Sequence, residues 1–465
     1  MPEIHDLSAV ELLELYRRKA LSPVEATRAV LAQIERWEPT LCATYRLDPD
    51  AALAAAEASE ARWREGRTGA LDGVPVMIKD NIATKGVPVP LGTAATALQD
   101  AAEDAPPAAR VREAGAVILG KTTMPDYGML SSGLLSSFHP LTRNPWDFSK
   151  NPGGSSAGAA AGLAAGYGPL HIGTDIGGSI RLPAGWCGVF GLKPSLGRVP
   201  IDPPYIGRVA GPMTRSVADA ALLMSVLSRP DGRDHMSLPY QSCDWLALER
   251  DLTGLRLGLL LDVGCGLPVE PQVRSAVEAA AHAFAAAGAI VEPMQPFLSR
   301  TMLDGVDYFW RMRAWADLSA LEAARRAEVL PFIVDWASAA ANLSGLELFR
   351  CFSQVFVMRQ AAHAACQAYD YVLCPTAPIP AFAAELPCPT NDPARPFEHI
   401  AFTVPFNMSE QPAASINCGY TTEGLPIGLQ IVGKRFDDLG VLALARAYER
   451  MRPAQRPWPR PPRSG

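Results

Sequence analysis

Lysine and paired cysteines are both scarce in this sequence. Seven of its 465 residues are lysines, so arginine supplies most of the positive charge. The nine cysteines are dispersed, and none belongs to a C-x-x-C pair. This spacing argues against a disulfide framework and against a zinc site, and it indicates a reducing compartment. We expect neither a metal nor a cofactor.

Long apolar runs and excess positive charge are also missing. No apolar stretch reaches the roughly 18 residues that a membrane-spanning helix needs. The acid-containing N-terminus lacks the apolar core of a signal peptide. The formal net charge of −6 argues against nucleic acid as the main partner. We therefore expect a cytoplasmic protein with no membrane and no nucleic-acid partner.

The composition favours one large folded unit with an added lobe. Hydrophobic residues make up 48% of the chain and charged residues 19%, which is enough for a large core. Residues 1–65 are predicted to be helical, because Ser8 with Glu11 and Ser22 with Glu25 fit the helix capping box. These helices would pack on the core or form a homodimer contact.

Strand and helix patterns alternate from Leu71 onward. Short apolar runs bounded by turn residues predict strands, and the longer segments between them predict helices. The alternation implies an α/β fold with a large, mixed, twisted β-sheet covered by helices on both faces. The predicted strands lie at 74–78, 116–119, 189–192, 255–261, 371–373 and 427–432, and the predicted helices at 105–114, 216–227 and 275–287.

Residues 296–355 interrupt this alternation. They are helical in pattern and rich in aromatic residues. Two interpretations stay open: a helical cap that packs on itself, or a lid that shapes a substrate pocket. The Pro/Arg-rich tail, 453–465, is expected to be disordered. Residues 66–452 would then form the main domain.

The stretch 151–200 carries the strongest chemical signal. It places two turns rich in glycine and serine, 153–156 and 174–179, around an alanine-rich helical run. Glycine lets backbone N–H groups turn inward without a Cβ in the way. Such N–H groups beside a serine suit acyl transfer, which needs a nucleophile next to an oxyanion hole. The pattern predicts a hydrolase.

Two familiar motifs fit less well. Residues 115–122 match the P-loop pattern G-x-x-x-x-G-K-[ST], but their Ala-Val-Ile-Leu centre predicts a buried strand. Residues 154–158 match G-x-S-x-G around Ser156, but a turn-like segment precedes them where a nucleophile elbow needs a strand. The histidines stand in no distinctive context. Neither nucleotide binding nor an α/β-hydrolase triad is favoured.

A lysine base fits a serine mechanism that uses no histidine. Lys79 ends a predicted buried strand. Burial among apolar groups lowers a lysine pKa, because the charged form loses hydration. The alternative is structural: Lys79 pairs with Asp80 at the end of the strand.

Several ordered motifs together resemble the amidase signature family, and they imply its fold. The resemblance covers residues 71–228 and returns at 407–432. The motifs that carry it are GVPVMIKDN (73–81), TRNPW (142–146), GGSS (153–156), GTDIGGSIRLP (173–183), GVFGLKP (188–194), GPMTRSVAD (211–219) and GLPIGLQ (424–430).

The resemblance implies a Ser–cis-Ser–Lys triad. By motif position, Ser179 is the nucleophile, Ser155 is the bridging serine and Lys79 is the base. The Gly154–Ser155 peptide would be cis. The oxyanion hole would be formed by the backbone N–H groups of Ile176, Gly177, Gly178 and Ser179.

The resemblance also suggests an acyl pocket and supporting residues. The loop that begins at Met129 lies near where the family lines its acyl pocket, which makes Met129, Ser131 and Ser132 candidate substrate contacts. Leu134 and Leu135 stand where related proteins often carry polar residues, and this favours a less polar substrate. The candidate supporting residues around the nucleophile are Ser156, Asp175 and Arg181.

The leading prediction is a stand-alone amidase. It would hydrolyse a small linear carboxylic amide to an acid and ammonia or amine, through an acyl-enzyme on Ser179. The alternative is the ammonia-supplying A subunit of a tRNA-dependent amidotransferase, which shares the core motifs. A Gly-Tyr-Tyr-Asp-Ala-Tyr-Tyr-like stretch expected in the latter is absent from 347–371. A catalytically silent binding protein is a distant alternative, because the Lys79, Ser155 and Ser179 set is intact.

Overall fold

An 11-stranded mixed sheet organises the residues that the computed structural model describes, 3–134 and 138–462. Its strands are β1 (Thr44–Leu47), β2 (Pro75–Lys79), β3 (Val117–Thr122), β4 (Leu170–Asp175), β5 (Phe190–Lys193), β6 (Val209–Thr214), β7 (Arg256–Leu259), β8 (Ile290–Pro293), β9 (Tyr371–Pro375), β10 (Ala413–Tyr420) and β11 (Pro426–Val432). Across the sheet they follow the order β1-β3-β2-β4-β6-β5-β10-β11-β9-β7-β8. Strand β2 runs parallel to both β3 and β4, whereas β4 and β6 are antiparallel.

Helices cover both faces of this sheet. They are α1 (Ala9–Arg17), α2 (Pro23–Leu41), α3 (Pro49–Glu65), α4 (Pro106–Glu113), α5 (Ala157–Ala165), α6 (Arg181–Cys187), α7 (Val217–Leu227), α8 (Pro271–Ala286), α9 (Arg300–Ser319), α10 (Ala323–Arg326), α11 (Pro331–Ser338), α12 (Gly345–Cys366), α13 (Val404–Met408) and α14 (Asp438–Met451). Successive strand residues point to opposite faces. Val76 and Ile78 therefore join the core under α4, α7, α8 and α14, and Met77 joins the core under α2, α3 and α5. The predicted α/β fold is confirmed.

The N-terminal segment contains a strand among the predicted helices. Helices α1 and α2 begin at capping boxes, where the Ser8 and Ser22 hydroxyls accept the Glu11 and Glu25 backbone N–H groups at 3.2 and 3.1 Å. Strand β1 then pairs antiparallel with β3 and forms one edge of the sheet. Its residues, Thr-Tyr-Arg-Leu, do not form the apolar run from which the other strands were predicted.

The segment that matches the P-loop pattern forms β3. Its residues 117–122 are hydrogen-bonded to β1 on one side and β2 on the other. The backbone groups of this segment are committed to the sheet, so they do not form a phosphate-binding loop.

The C-terminal tail follows α14 as irregular chain as far as residue 462. The Arg215 guanidinium lies 4.5 Å from the centre of the Trp458 ring, and Trp458 also packs against Trp146. The last part of the predicted disordered tail, 463–465, lies outside the described residues, and the domain boundaries stay predictions. No helix within the described ranges is long and apolar enough to cross a membrane.

Candidate active site

Two parallel strands bring a lysine and a threonine to the same edge of the sheet. Strand β2 ends at Lys79, and its neighbour β4 ends at Asp175. The ends of parallel neighbours meet at one edge, where open α/β sheets bind their ligands. Thr174 therefore lies beside Lys79, and the two turns rich in glycine and serine converge on this place.

Lys79 is fully buried and donates to two hydroxyl groups. Its Nζ lies 2.8 Å from Ser155 Oγ and 2.8 Å from Thr174 Oγ1. Burial lowers the pKa of Lys79 from its ordinary 10.5 to about 7, although the charges of Asp175 and Asp80 act in the opposite direction. Near neutral pH the Lys79 amine is therefore uncharged in a large share of the molecules, and there it can accept a proton.

The structural alternative for Lys79, an ion pair with Asp80, is not formed among the residues described. The Asp80 carboxylate instead accepts the backbone N–H groups of Leu91 and Gly92 at 3.0 and 2.9 Å. Adjacent residues at a strand end point to opposite sides, which separates the two side chains.

Ser155 follows a cis peptide bond and faces the cavity. The bond joins Gly154 to Ser155. A Cβ on Gly154 would lie 2.6 Å from the Ser132 backbone nitrogen, so this position has no room for a side chain. The Ser155 hydroxyl lies between the Lys79 amine and the open space of the site.

Ser179 lies on the turn between β4 and α6, and it lines the same cavity as Ser155. Its carbonyl oxygen accepts the Ser156 N–H at 3.1 Å, which ties the two turns together. Ile176 and Gly177 also line the cavity. The Gly178 N–H instead donates to Asp175 Oδ1 at 2.8 Å, so it does not point into the open space.

The Asp175 carboxylate holds the turn that carries Ser179. It forms an ion pair with Arg181, and it accepts the Ile180 N–H at 3.1 Å and the Asn407 side-chain N–H at 2.9 Å. Burial alone would raise the pKa of Asp175. The charge and hydrogen bonds of Arg181, together with a hydrogen bond from Asn407, instead keep this pKa well below its ordinary value. Asp175 is thus charged and fully bonded, which suits a structural anchor better than a proton carrier.

The site opens into a cavity that is continuous with solvent. The helical segment lines one wall through Trp310 of α9 and Trp336 of α11, whose rings both pack edge-on against Phe397. Elsewhere its aromatic residues pack on each other, as Phe309 and Phe352 do. Some aromatic residues of the segment therefore line the cavity and others pack on each other, and whether the segment acts as a lid on a substrate stays a prediction.

Of the three predicted substrate contacts, two line the cavity and one does not. Met129 and Ser131 line the cavity. Ser132 is buried away from it, and its hydroxyl accepts the Leu134 N–H at 3.0 Å. Leu135 lies outside the described residues.

Of the predicted supporting residues, Ser156 lies behind the site. Its hydroxyl bonds to the backbone of Thr174, accepting from the N–H at 3.3 Å and donating to the carbonyl at 3.2 Å. It therefore braces β4 and does not reach the open space.

The lining residues missed from sequence include four with polar or charged groups, Asn81, Thr174, Arg208 and Arg313. Asn81 and Thr174 lie inside motifs that carry the family resemblance. Their places, Asn81 two residues after Lys79 and Thr174 at the start of the turn 174–179, could have identified them. Arg208 and Arg313 lie in segments with no distinctive pattern. No histidine belongs to the described lining of the cavity. In the described part of the chain, no group of three or more His, Cys, Asp or Glu side chains is arranged to hold a metal ion.

The chain is similar to known proteins along almost its whole length. The family model described as Amidase matches residues 25–442. The A subunit of glutamyl-tRNA(Gln) amidotransferase from Myxococcus xanthus is 36% identical over 96% of this chain and 98% of its own length. A bacterial aryl acylamidase of the amidase signature family has a TM-score of 0.88 at 30% identity, with 97% of each chain covered. The A subunit of the Thermotoga maritima amidotransferase has a TM-score of 0.81 at 27% identity, with 99% of each chain covered.

These relatives correct two predictions. The prediction of a stand-alone amidase is wrong, because curated relatives at 32–36% identity carry the name of an amidotransferase component. The expectation of no nucleic-acid partner is wrong for the same reason, since that name includes a tRNA. Net charge is a poor guide here, because it describes the whole chain and not the local surface that a partner contacts.

Proposed function

Because the chain belongs to the amidase signature family, whose members hydrolyse C–N amide bonds, we propose that it is the ammonia-supplying component of a tRNA-dependent amidotransferase. The observation that carries this proposal is the full-length similarity to curated A subunits, which extends over 96–97% of the chain. The amide donor would be hydrolysed at the cavity beside Lys79, Ser155 and Ser179. The tRNA would be bound by the assembly, with this chain supplying ammonia.

The geometry supports a proton relay from lysine through serine. In the proposed first step, Ser179 Oγ attacks the amide carbonyl carbon while its proton passes to Ser155 and the Ser155 proton passes to neutral Lys79. The proton returns along the same path to the leaving nitrogen, the C–N bond breaks, and ammonia departs. Water then attacks the Ser179 ester, the same relay takes up and returns its proton, and the acid is released. The 2.8 Å contact between Lys79 and Ser155 is the link that supports this relay.

The proposed oxyanion hole uses the N–H groups of Ile176, Gly177 and Ser179. These residues line the cavity around the nucleophile. We leave out Gly178, because its N–H is engaged by Asp175. Preorganised donors of this kind contribute roughly 10²–10³ in rate each when removed singly.

A reducing, cytoplasmic location stays part of the proposal. All nine cysteines are free thiols. Burial raises the pKa of Cys187, Cys374 and Cys418, which keeps these thiols protonated and poorly reactive.

The test of this assignment is partner dependence. The tagged chain is purified from its own cells, and ammonia release from glutamine is measured with and without the proteins that co-purify. We expect co-purifying partners and a glutaminase rate that rises when they and glutamyl-tRNA are present. A chain that purifies alone, and whose glutaminase rate is unchanged by any added fraction, contradicts the proposal. The Tyr-rich stretch expected in such A subunits is absent from residues 347–371, so partner dependence is the decisive measurement.

The nucleophile is tested separately with a serine-reactive fluorophosphonate. Labelling should vanish in Ser179→Ala and survive in Ser156→Ala, because the Ser156 hydroxyl bonds to the Thr174 backbone behind the site. Equal labelling of the two variants would remove Ser179 from the mechanism. If labelling is lost in both variants, circular dichroism shows whether Ser156→Ala is folded. Ser179 stays the candidate nucleophile only if Ser156→Ala has unfolded.

A further inference from the structure

The Lys79 amine has three oxygen neighbours, and only one of them belongs to the proposed relay. Its Nζ lies 2.8 Å from Ser155 Oγ, 2.8 Å from Thr174 Oγ1 and 3.4 Å from the Thr174 carbonyl oxygen. When charged, the amine has three N–H groups and can donate to all three oxygens. When uncharged, it keeps two N–H groups and gains one lone pair. The relay needs that lone pair to face Ser155.

The lone pair of uncharged Lys79 has two hydroxyl groups to face. A carbonyl oxygen only accepts, so one N–H is given to the Thr174 carbonyl. The other N–H and the lone pair are then divided between Ser155 and the Thr174 hydroxyl. If the Thr174 hydroxyl donates to the lone pair, Lys79 donates to Ser155 and cannot take its proton. The direction of the Thr174 proton therefore decides whether the relay can run.

The Asn81 side chain is placed to receive the Thr174 proton. Asn81 Oδ1 lies 3.3 Å from Thr174 Oγ1, and Asn81 Nδ2 lies 3.1 Å from the same atom. The carboxamide can thus accept the Thr174 O–H and donate an N–H to the same hydroxyl. Exchanging the oxygen and nitrogen of the carboxamide leaves this arrangement intact, because both atoms are within hydrogen-bond distance.

The Thr174 hydroxyl is then left with one function toward Lys79. A hydroxyl has one proton and two lone pairs. Asn81 takes the proton and fills one lone pair, so the remaining lone pair accepts an N–H of Lys79. Among the described residues, Asn81 Oδ1 is the only oxygen placed to accept the Thr174 proton, and the Asn81 side chain bonds to no other group.

We propose that Asn81 is a positioning residue that sets the direction of the proton relay. By accepting the Thr174 proton it makes Thr174 an acceptor for Lys79, and this turns the lone pair of uncharged Lys79 toward Ser155. This inference rests on the proposed function, because it takes the path from Ser179 through Ser155 to Lys79 as the relay.

The test places Thr174→Val in two backgrounds. In the wild type, valine removes an acceptor for Lys79, and labelling of Ser179 should slow by roughly 10-fold. Asn81→Leu has a similar shape but no acceptor, so Thr174 would donate to Lys79 and hold it in the wrong arrangement. There the same valine should make labelling faster by about 3-fold or more, because it removes the competing hydrogen bond.

The measurement is the rate constant for fluorophosphonate labelling of Ser179 in the purified protein with its co-purifying partners. It is made at pH 9, because Lys79, with a pKa of about 7, is uncharged there. Circular dichroism checks that each variant is folded, and Asn81→Val takes the place of Asn81→Leu if the latter unfolds.

The reversal of sign separates this role from two simpler ones. If Asn81 only held Thr174 in place, Thr174→Val would have no effect in Asn81→Leu. If Asn81 only contacted the substrate, Thr174→Val would slow labelling equally in both backgrounds.

Two control backgrounds should keep the slowing caused by Thr174→Val. Asn81→Asp retains an acceptor for the Thr174 proton, since a carboxylate only accepts. Asn342→Leu changes an exposed asparagine that does not line the cavity.

Three outcomes overturn the inference: Thr174→Val does not slow the wild type, it does not speed labelling in Asn81→Leu, or it does not slow Asn81→Asp. All are read with wild-type Ser179 labelled. If instead wild-type Ser179 is not labelled at all, the proposed function has failed, which is a different result.

Discussion

Arg181 and Asp175 form a fully buried ion pair, with Arg181 Nη2 2.9 Å from Asp175 Oδ1. The pair lies directly behind the turn that carries Ser179, since Asp175 also accepts the Gly178 N–H. The pair therefore ties down the turn that carries the proposed nucleophile. Neither group belongs to the described lining of the cavity, so we expect the pair to position Ser179 and not to contact the substrate.

Replacing Arg181 by Met should destabilise the protein by about 3–5 kcal/mol, because Asp175 would be left buried and charged without its partner. Urea unfolding followed by circular dichroism measures the loss. Combining Arg181→Met with Asp175→Asn should recover part of it, as a double-mutant cycle would show. The control is Arg450→Met, which breaks the exposed pair with Glu249 and should cause no measurable loss. Equal stability of the two single variants would contradict the positioning role.

Fluorophosphonate labelling of Ser179 should become faster as pH rises through about 7. Lys79 has a pKa of about 7, so it is protonated below that pH and free to accept a proton above it. The rate constant is measured between pH 5.5 and 9. In Lys79→Ala we expect a loss of about 10²–10⁴-fold, the usual contribution of a general base.

A second buried lysine provides the control for this pH profile. Burial also lowers the pKa of Lys193 to about 7, but its amine donates to the Pro194 carbonyl and not to a serine. Lys193→Met should therefore keep the rise with pH, and Lys79→Ala should lose it. A wild-type profile that is flat across neutral pH would remove Lys79 as the base.

Thr174 should matter for the rate because it is the second hydroxyl that holds the Lys79 amine. Thr174→Val keeps the shape and removes this hydroxyl, so we expect labelling to slow by roughly 10-fold, the value of one such hydrogen bond. Thr174→Ser restores the hydroxyl and should restore most of the rate. If Thr174→Ser is as slow as Thr174→Val, restoring the hydroxyl does not restore the rate, which contradicts the explanation by the hydrogen bond to Lys79.

The parts of the fold that follow local rules were predictable from sequence. The apolar run before Lys79 and the run at 116–119 are strands β2 and β3, because a short buried strand needs little more than β-branched and apolar residues between turns. The Ser22 capping box fixes the start of α2 for a similarly local reason.

The order of the strands across the sheet had no local signal. Strand β10 lies between β5 and β11, although more than 200 residues separate β5 from β10 along the chain. The same limit applies to the site. Lys79 and Ser155 were identified through motifs, whereas Arg208 and Arg313 meet only in three dimensions, so no spacing in the sequence indicates that they share a cavity.

The last prediction separates backbone strain from steric contact at two glycines. Gly178 has φ +131°, and a Cβ there would lie 2.6 Å from Thr403 Oγ1 and 2.7 Å from a Leu182 methyl. Gly86 has φ +77°, but a Cβ there would meet nothing within 4 Å. Gly86→Ala should therefore lose about 1–2 kcal/mol, the strain of an unfavourable φ alone. Gly178→Ala should lose more, because the turn or the side chains of Thr403 and Leu182 must also shift to relieve the contacts, and a shift of the turn would displace Ser179. Urea unfolding and fluorophosphonate labelling of both variants check this, and equal losses with labelling intact in Gly178→Ala would show that the turn can move without affecting the nucleophile.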